Sequence, residues 1–203
     1  TMTTDANSAG PPARTHKDYY KALYQAALTF SSSLELDSVL QSIVMSTTEA
    51  MEVKACGLRL LDPRNGELQL SAVYGLSSDY LSKGPVDVGH SPIDMEALCG
   101  TPVIIPDVST DTRFQYKEAA KREGIVSVLC VPLEVHGEAI GVIRVYTGEP
   151  CAFHEDDIQF LSVLASLAAL AIENAKLYES LKRSYDGVMD ALWGTSLQYT
   201  ESR

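Results

Sequence analysis

The sequence predicts an α+β domain in which helices open and close the chain and about six antiparallel strands lie between them. Near both ends, from Asp18 and from Phe153, apolar residues recur at three- and four-residue steps, the period of a packed helix. Between these segments, apolar runs flank tight turns at residues 65–66 (Asn-Gly) and 135–137 (Val-His-Gly), which predicts β-hairpins. Strands grouped apart from helices in this way are typical of an α+β fold with an antiparallel sheet.

Composition and charge exclude several classes of protein. The chain has 203 residues, of which 45% are apolar, enough for one domain with a real core and short extensions. Its net charge of −11 argues against binding to nucleic acid or to anionic membranes, because phosphate groups repel such a surface. The four cysteines form no C-x-x-C pair, and the first 16 residues hold no apolar core of a signal peptide. We therefore expect reduced thiols and a cytoplasmic location.

The N-terminal part is predicted as a tail followed by two helices. Residues 1–16 are small and polar and include prolines, so they predict a flexible tail. A first helix is expected over residues 19–30, ended by three serines at 31–33. The second helix, for which Asp37 is the expected N-cap, carries apolar residues up to Met51.

The middle of the chain is predicted as a hairpin followed by less regular structure. Residues 54–62 and 67–74 are the two strands of the hairpin. A short helix over residues 77–83, an extended segment over 85–88 and a short helix within 90–99 follow.

A second group of strands comes next. Residues 101–108 predict a short strand whose two prolines suit the edge of a sheet. Residues 115–123 predict a polar helix ended by Gly124. The clearest hairpin of the chain joins residues 125–134 to residues 138–147.

Residues 153–181 predict one long helix with an acidic first turn, which the helix dipole favours. Only two serines interrupt its apolar run from Phe160 to Ile172, so it needs packing partners on all sides. We expect its own sheet on one side and the same helix of a second subunit on the other. The run is too short to span a membrane. Residues 182–203 keep a helical pattern and either begin a signalling helix or dock on the first helix.

Three runs in this order carry a family resemblance: GTPVIIPDVSTDTRF, GIVSVLCVPLEVHGEAIGVIRVYT and FHEDDIQFLSVLASLAALAIENAKLY. Together they resemble the GAF domain of bacterial signalling proteins, and the likeness covers residues 20–181. The resemblance implies a PAS-related central antiparallel sheet, with the terminal helices packed on one face and a ligand pocket on the other. GAF domains of this kind sense small molecules, dimerise through their terminal helices and relay the signal to an output domain.

Specialised members of the family differ from this sequence. Members that bind cyclic nucleotides carry an Asn-Lys-Phe-Asp-Glu signature, of which only Phe153 and Asp157 have loose counterparts here. Members that bind bilins hold the chromophore on a Cys that precedes a His, and no such pair occurs. Members that reduce free methionine sulfoxide use pocket cysteines, for which Cys99 and Cys130 are the candidates.

Arg59 and Arg144 are the strongest candidates for ligand binding, because each lies within an apolar strand where a bare buried charge is costly. Either they line the pocket and bind an anionic ligand as bidentate forks, or they lie on a solvated sheet face or pair with a carboxylate. His90 and Ser91 follow the segment where GAF pockets often have a flexible lid. The alternative for His90 is an ordinary surface position.

Four further residues complete the candidate ligand site. Phe114 and Tyr116 form an aromatic pocket wall or anchor their loop to the core. Tyr74 lies at a strand end with the same two alternatives. Ser127 either donates a hydrogen bond to a ligand or packs against a helix. No catalytic or metal-binding motif occurs in the sequence, and no particular cofactor is indicated.

The leading hypothesis is a non-catalytic, homodimeric sensory module, with a tail over residues 1–16, the GAF-like domain over 17–181 and a C-terminal helical segment over 182–203. The ligand is an unidentified small molecule, and an output domain is the expected partner. Two alternatives stay open: a structural dimerisation module with a filled pocket, and a GAF-fold methionine sulfoxide reductase that uses Cys99 or Cys130.

Overall fold

A computed structural model describes residues 16–62, 64–82, 91–150 and 153–198. The described residues contain eleven elements, which in chain order are α1 (His16–Phe30), α2 (Leu36–Met51), β1 (Ala55–Leu61), β2 (Leu68–Tyr74), α3 (Ser78–Leu81), α4 (Pro92–Leu98), β3 (Val103–Ile105), α5 (Lys117–Glu123), β4 (Ser127–Val135), β5 (Glu138–Thr147) and α6 (Glu155–Gln198).

The strands form one antiparallel sheet in the order β2-β1-β5-β4-β3. Within the described residues the sheet has five strands, close to the six expected, and the extended segment predicted over residues 85–88 lies outside them. The proline-flanked strand β3 is at the edge, as its prolines predict. Both hairpins are confirmed, with a bulge in β5 between its pairings with Leu133 and Glu134.

One face of the sheet is covered by α1, α2 and α6. Alternate residues of β5, Ile143 and Val145, and of β4, Leu129 and Val131, are fully buried against these helices. Because side chains alternate across a strand, the same strands present a second set of residues to the opposite face. The terminal helices therefore share one side of the sheet, as the family resemblance implies.

The opposite face is covered by α3, α4, α5 and the loop before α5. Here Val142 and Tyr146 of β5 pack with Cys130 of β4, and Tyr80 and Phe114 close over them. The domain thus has two hydrophobic cores that share a single sheet.

The helix α2 begins earlier than the sequence analysis expected. Its N-cap is Glu35, whose side chain makes no capping hydrogen bond, and Asp37 lies in the first turn. The assignment of Asp37 as the cap was wrong, because Leu36 already adopts the helical conformation. In the first turn an acidic residue still interacts favourably with the helix dipole.

The helix α6 is continuous over 44 residues and has two different halves. From Phe160 to Ala175 it carries many buried side chains, whereas from Lys176 to Leu192 none is buried. Tyr19 joins α1 to its start by donating a hydrogen bond to Asp157 at 2.7 Å. The helix also has the length and hydropathy of a membrane span, which a core helix can equally have, and 44% of its apolar stretch is buried inside the domain.

Close approach of β1 and β5 explains why residue 141 is glycine. A Cβ at Gly141 would lie 2.2 Å from the backbone oxygen of Arg59, an atom that cannot move without shifting the strand. We predict that Gly141→Ala destabilises the protein by about 1–3 kcal/mol, the range for overpacked interiors. The measurement is the midpoint and slope of urea unfolding.

Gly187→Ala is the matched control, because Gly187 is helical and has open space around its Cβ position. It should stabilise the protein by about 0.5–1 kcal/mol, since alanine favours a helix more than glycine does. Equal effects of the two substitutions would show that the approach of Arg59 to Gly141 is not a constraint.

Candidate functional site

A small cavity lies on the sheet face opposite α6, between the sheet and the elements α3 and α4. Its volume is about 20 Å³, which is room for about one water molecule. Nine of the described residues line it, from β1, α3, the start of α4, the loop before α5 and β5: Arg59, Tyr80, Ser91, Ile93, Arg113, Phe114, Gln115, Tyr116 and Arg144.

Five of the residues predicted from the sequence meet at this cavity. Arg59 and Arg144 reach it from the sheet, Ser91 from the start of α4, and Phe114 and Tyr116 from the loop before α5. Phe114 is also 95% buried in the second core, so the anchoring alternative describes its packing as well. Residues more than 50 positions apart in the chain thus converge on one point.

Two of the other predicted residues, Tyr74 and Ser127, are not part of this lining. Tyr74 ends β2 and is 39% exposed. Ser127 is fully buried, but its hydroxyl donates to the backbone oxygen of Pro106 at 2.8 Å or of Glu149 at 3.2 Å, so it supports loops next to β4. His90 lies outside the described residues.

Arg144 forms a buried ion pair. It is 5% exposed, and its Nη2 contacts Oδ1 of Asp94, which is fully buried at the start of α4. The contact is close but poorly directed, so it is an ion pair rather than a well-formed hydrogen bond. Nη2 also donates to Ser91 Oγ at 3.1 Å. Burial is the largest influence and opposes the charge, but Asp94, Cys130 and Tyr146 act together against it, with Asp94 foremost, and raise the pKa of the Arg144 guanidinium above its usual value.

Arg59 is buried without such a partner. Only 6% of it is exposed, and its Nη1 has no hydrogen-bond acceptor among the residues that the structure describes. Within that part of the chain no carboxylate forms an ion pair with it. Nε of Arg144 likewise has no acceptor. Among the described residues, this face therefore holds two buried guanidinium groups that lack acceptors for some of their donors, and one buried carboxylate to balance them.

The third arginine of the lining, Arg113, is fully engaged. Its guanidinium binds both oxygens of Asp111, at 3.1 and 2.8 Å, and an oxygen of Glu96 at 3.2 Å. It also donates to the backbone oxygen of Ile104 at 3.2 Å. The hydrogen bond that Arg113 donates to Asp111 is the largest cause of its raised pKa. Arg113 therefore holds the loop before α5 against α4 and β3.

Burial is the largest influence on the pKa of two further groups on this face, Tyr80 and Cys130. It raises the pKa of the Tyr80 hydroxyl well above its usual value, although Arg144 and Arg59 act in the opposite direction. It raises the pKa of the Cys130 thiol to about 11. Both groups are therefore neutral at physiological pH. The described residues contain no cluster of three or more His, Cys, Asp or Glu that could hold a metal ion.

Five residues of the site were not predicted from the sequence. Tyr80, Ile93, Arg113 and Gln115 line the cavity, and Asp94 neutralises Arg144 behind it. Asp94 follows Ser91-Pro92, a helix start, where an acidic residue normally serves the helix dipole at the surface. No local signal indicates that this carboxylate turns inward. The only hint of a buried counter-charge in the sequence was the arginine inside each of the apolar strands GLRLL and GVIRVY.

Comparison with known proteins gives the family. The model of the GAF domain matches residues 35–172. Three curated relatives are a Nif-specific regulatory protein of Herbaspirillum seropedicae (24% identical over 78% of this chain), a methyl sulfide methyltransferase-associated sensor of Methanosarcina acetivorans (26% over 80%) and a dual 3′,5′-cyclic-AMP and -GMP phosphodiesterase 11A of Takifugu rubripes (28% over 77%). The matched parts are 30%, 18% and 19% of those proteins, so the chain spans less than a third of each.

Solved structures agree on the fold. The GAF domain of a phosphoenolpyruvate-protein phosphotransferase from Coxiella burnetii superposes with a TM-score of 0.71 at 24% identity, covering 81% of this chain and 98% of that one. A free methionine-R-sulfoxide reductase from Neisseria meningitidis superposes with a TM-score of 0.68 at 22% identity, covering 84% and 98%. At these identities the likeness concerns the fold alone. Because the family model matches more than half of the sequence, the chain belongs to the GAF domain family.

Proposed function

We propose that this chain is the sensory GAF module of a larger signalling protein, which binds a small molecule in the cavity and passes the change to an output domain through α6. The carrying observation is that β5 forms a wall of the cavity with one face and a packing surface for the terminal helices with the other. After β5 ends at Thr147, the chain enters α6 at Glu155. A shift of β5 is thereby coupled directly to α6.

The relatives support a sensory role. Two of them are named as a regulatory protein and a sensor, and the matched segment is a minor part of each. A module of this kind signals only if its ligand binds two arrangements of the domain with different affinity. Ligand pockets usually measure about 300–1,000 Å³, so a cavity of about 20 Å³ must expand to admit a ligand. In this proposal that expansion is the conformational signal.

The proposed second subunit binds along α6. Five apolar residues in its exposed half are separated alternately by three and four positions: Tyr178, Leu181, Tyr185, Val188 and Leu192. This is the spacing of the a and d positions of a coiled coil. Each is at least 44% exposed, so a second copy of α6 in parallel would bury a stripe that the domain itself leaves in solvent.

The dimer proposal predicts the effect of charge in this stripe. The double variant Leu181→Glu/Val188→Glu should be monomeric by sedimentation at tens of micromolar, because it places four carboxylates in the interface of a dimer. Wild-type protein should be dimeric. Ser180→Glu is the matched control, since Ser180 is exposed one position away from the stripe, and it should remain dimeric. A monomeric wild type would contradict the proposal.

The small cavity also favours a second candidate, a structural dimerisation module whose pocket is filled by its own side chains. Native mass spectrometry of the purified chain separates the two. A dimer that retains a small molecule supports the sensor. A dimer that retains nothing, and whose melting temperature no member of a metabolite library changes, supports the structural module.

The reductase alternative depends on reactive cysteines. Cys130 is fully buried, and its pKa of about 11 leaves almost no thiolate at neutral pH. Cys99 is exposed but is not among the residues that line the cavity. The described thiols therefore lack the environment of a catalytic nucleophile, and we propose a non-enzymatic role.

Alkylation tests this directly. In native protein at neutral pH, iodoacetamide should label Cys99 readily and leave Cys130 unlabelled, whereas both should react in urea. Cys56, which is buried on the opposite face with its pKa raised by burial, is the internal control for access. Native labelling of Cys130 at the rate of Cys99, or turnover of free methionine sulfoxide with thioredoxin, would support the reductase instead.

A further inference from the structure

We propose that the ligand of this cavity carries a small oxyanion group, a carboxylate or a phosphate, which binds between Arg59 and Arg144. The inference rests on the proposed sensory function and names the chemical class of its ligand. It starts from Arg59, the buried cation for which the described residues provide no counter-charge.

First, the charges of the cavity lining do not balance among the described residues. A buried cation without a partner is costly, and buried charges in proteins are normally paired. Arg113 has Asp111 and Glu96, and Arg144 has Asp94, which leaves the positive charge of Arg59 unbalanced in the lining. One water molecule in the cavity could accept a hydrogen bond from Arg59, but it would not neutralise that charge. An anionic group does both.

The second step concerns geometry. In the sheet, Arg59 is opposite Val142 and Arg144 is opposite Gly57, so the two arginines are diagonal neighbours on one face. Such neighbours are separated by about 7–8 Å, a distance that two long side chains can span toward a common group. The atoms that lack acceptors are Nη1 of Arg59 and Nε of Arg144, one on each side chain. An oxyanion has several oxygens and can accept from both.

The third step concerns the division of labour between the two arginines. Arg144 is held by Asp94 and Ser91, so its position is fixed before any ligand binds. No carboxylate among the described residues holds the guanidinium of Arg59 in this way. Arg59 is therefore the primary anion receptor, and Arg144 offers its remaining donor from a fixed position.

The experiment measures binding of two test anions, acetate and inorganic phosphate, to the full chain by thermal shift and calorimetry, against sodium chloride at equal ionic strength. At least one anion should raise the melting temperature of the wild type beyond the chloride control, because a ligand that binds only the folded state stabilises it. Arg59→Met should weaken that binding by at least about tenfold. Without anion it should melt at or above the wild-type temperature, since it removes an unpaired buried charge.

Two further variants keep the test interpretable. Arg64→Met removes the same charge from the exposed turn of the same hairpin, where Arg64 pairs with Asp62, and it should bind the anion as the wild type does. Arg59→Lys, which keeps the positive charge, replaces Arg59→Met in the test if Arg59→Met fails to fold. It should retain weakened anion binding. Arg144→Met is unsuitable as the sole test, because it would leave Asp94 buried without a partner.

The outcomes separate this inference from the proposed function. A shift with acetate alone assigns a carboxylate, and a shift with phosphate alone assigns a phosphate. No shift of the wild type with either anion, or an equal shift in Arg59→Met, overturns the inference. If native mass spectrometry then finds a retained neutral or cationic molecule, the sensory proposal survives with another ligand class. If it finds no retained ligand of any class, and no member of the metabolite library changes the melting temperature, both fail.

Discussion

The central strand β5 is buried on both of its faces, and the position of Arg144 in the cavity wall depends on that burial. Ile143 and Val145 pack against the terminal helices, while Arg144 and Tyr146 lie on the opposite face, where Arg144 lines the cavity and Tyr146 packs in the second core. A shift of the register by one residue would exchange the two sets and drive the Arg144 guanidinium into the helical core. The apolar pattern that stabilises the sheet therefore also fixes the site, and the close approach of Gly141 to Arg59 fixes β5 along β1.

The same constraint explains what could be predicted from the sequence. Period-two alternation and turn residues identified both hairpins and the edge strand, and they identified Arg59 and Arg144 as charges within apolar strands. The environment of each arginine could not be predicted, because Asp94 reaches Arg144 from 50 residues away in the chain. Nothing local distinguishes the arginine that acquires a carboxylate from the one that does not. Ser127 was ambiguous for the same reason, since its acceptors are backbone oxygens of two distant loops.

The contrast between the two arginines has an energetic meaning. A buried ion pair contributes little net stability, yet removing one partner costs about 3–5 kcal/mol, because the other charge remains buried. Arg144 and Asp94 therefore hold α4 to β5 mainly because separating them would leave two buried charges without partners, at a high cost in free energy. Arg59 is in the opposite situation, because the part of the chain that the structure describes gives its buried charge no carboxylate, and a buried charge without a partner is costly. A residue that costs stability in the empty protein is a candidate for the group that gains most when an anion arrives.

In the proposed function, the same energetic cost also couples the cavity to α6. In the proposed function an anion would have to separate elements that leave a cavity of about 20 Å³, and the Arg144–Asp94 pair would resist movement of α4 away from β5. The strain is then shared with the sheet, whose other face is packed against the first half of α6. At a rise of about 1.5 Å per residue, α6 is about 66 Å long. In the proposed function, a tilt of its packed half would displace the far end of the exposed half, so the stripe from Tyr178 to Leu192 is where a second subunit would detect the change.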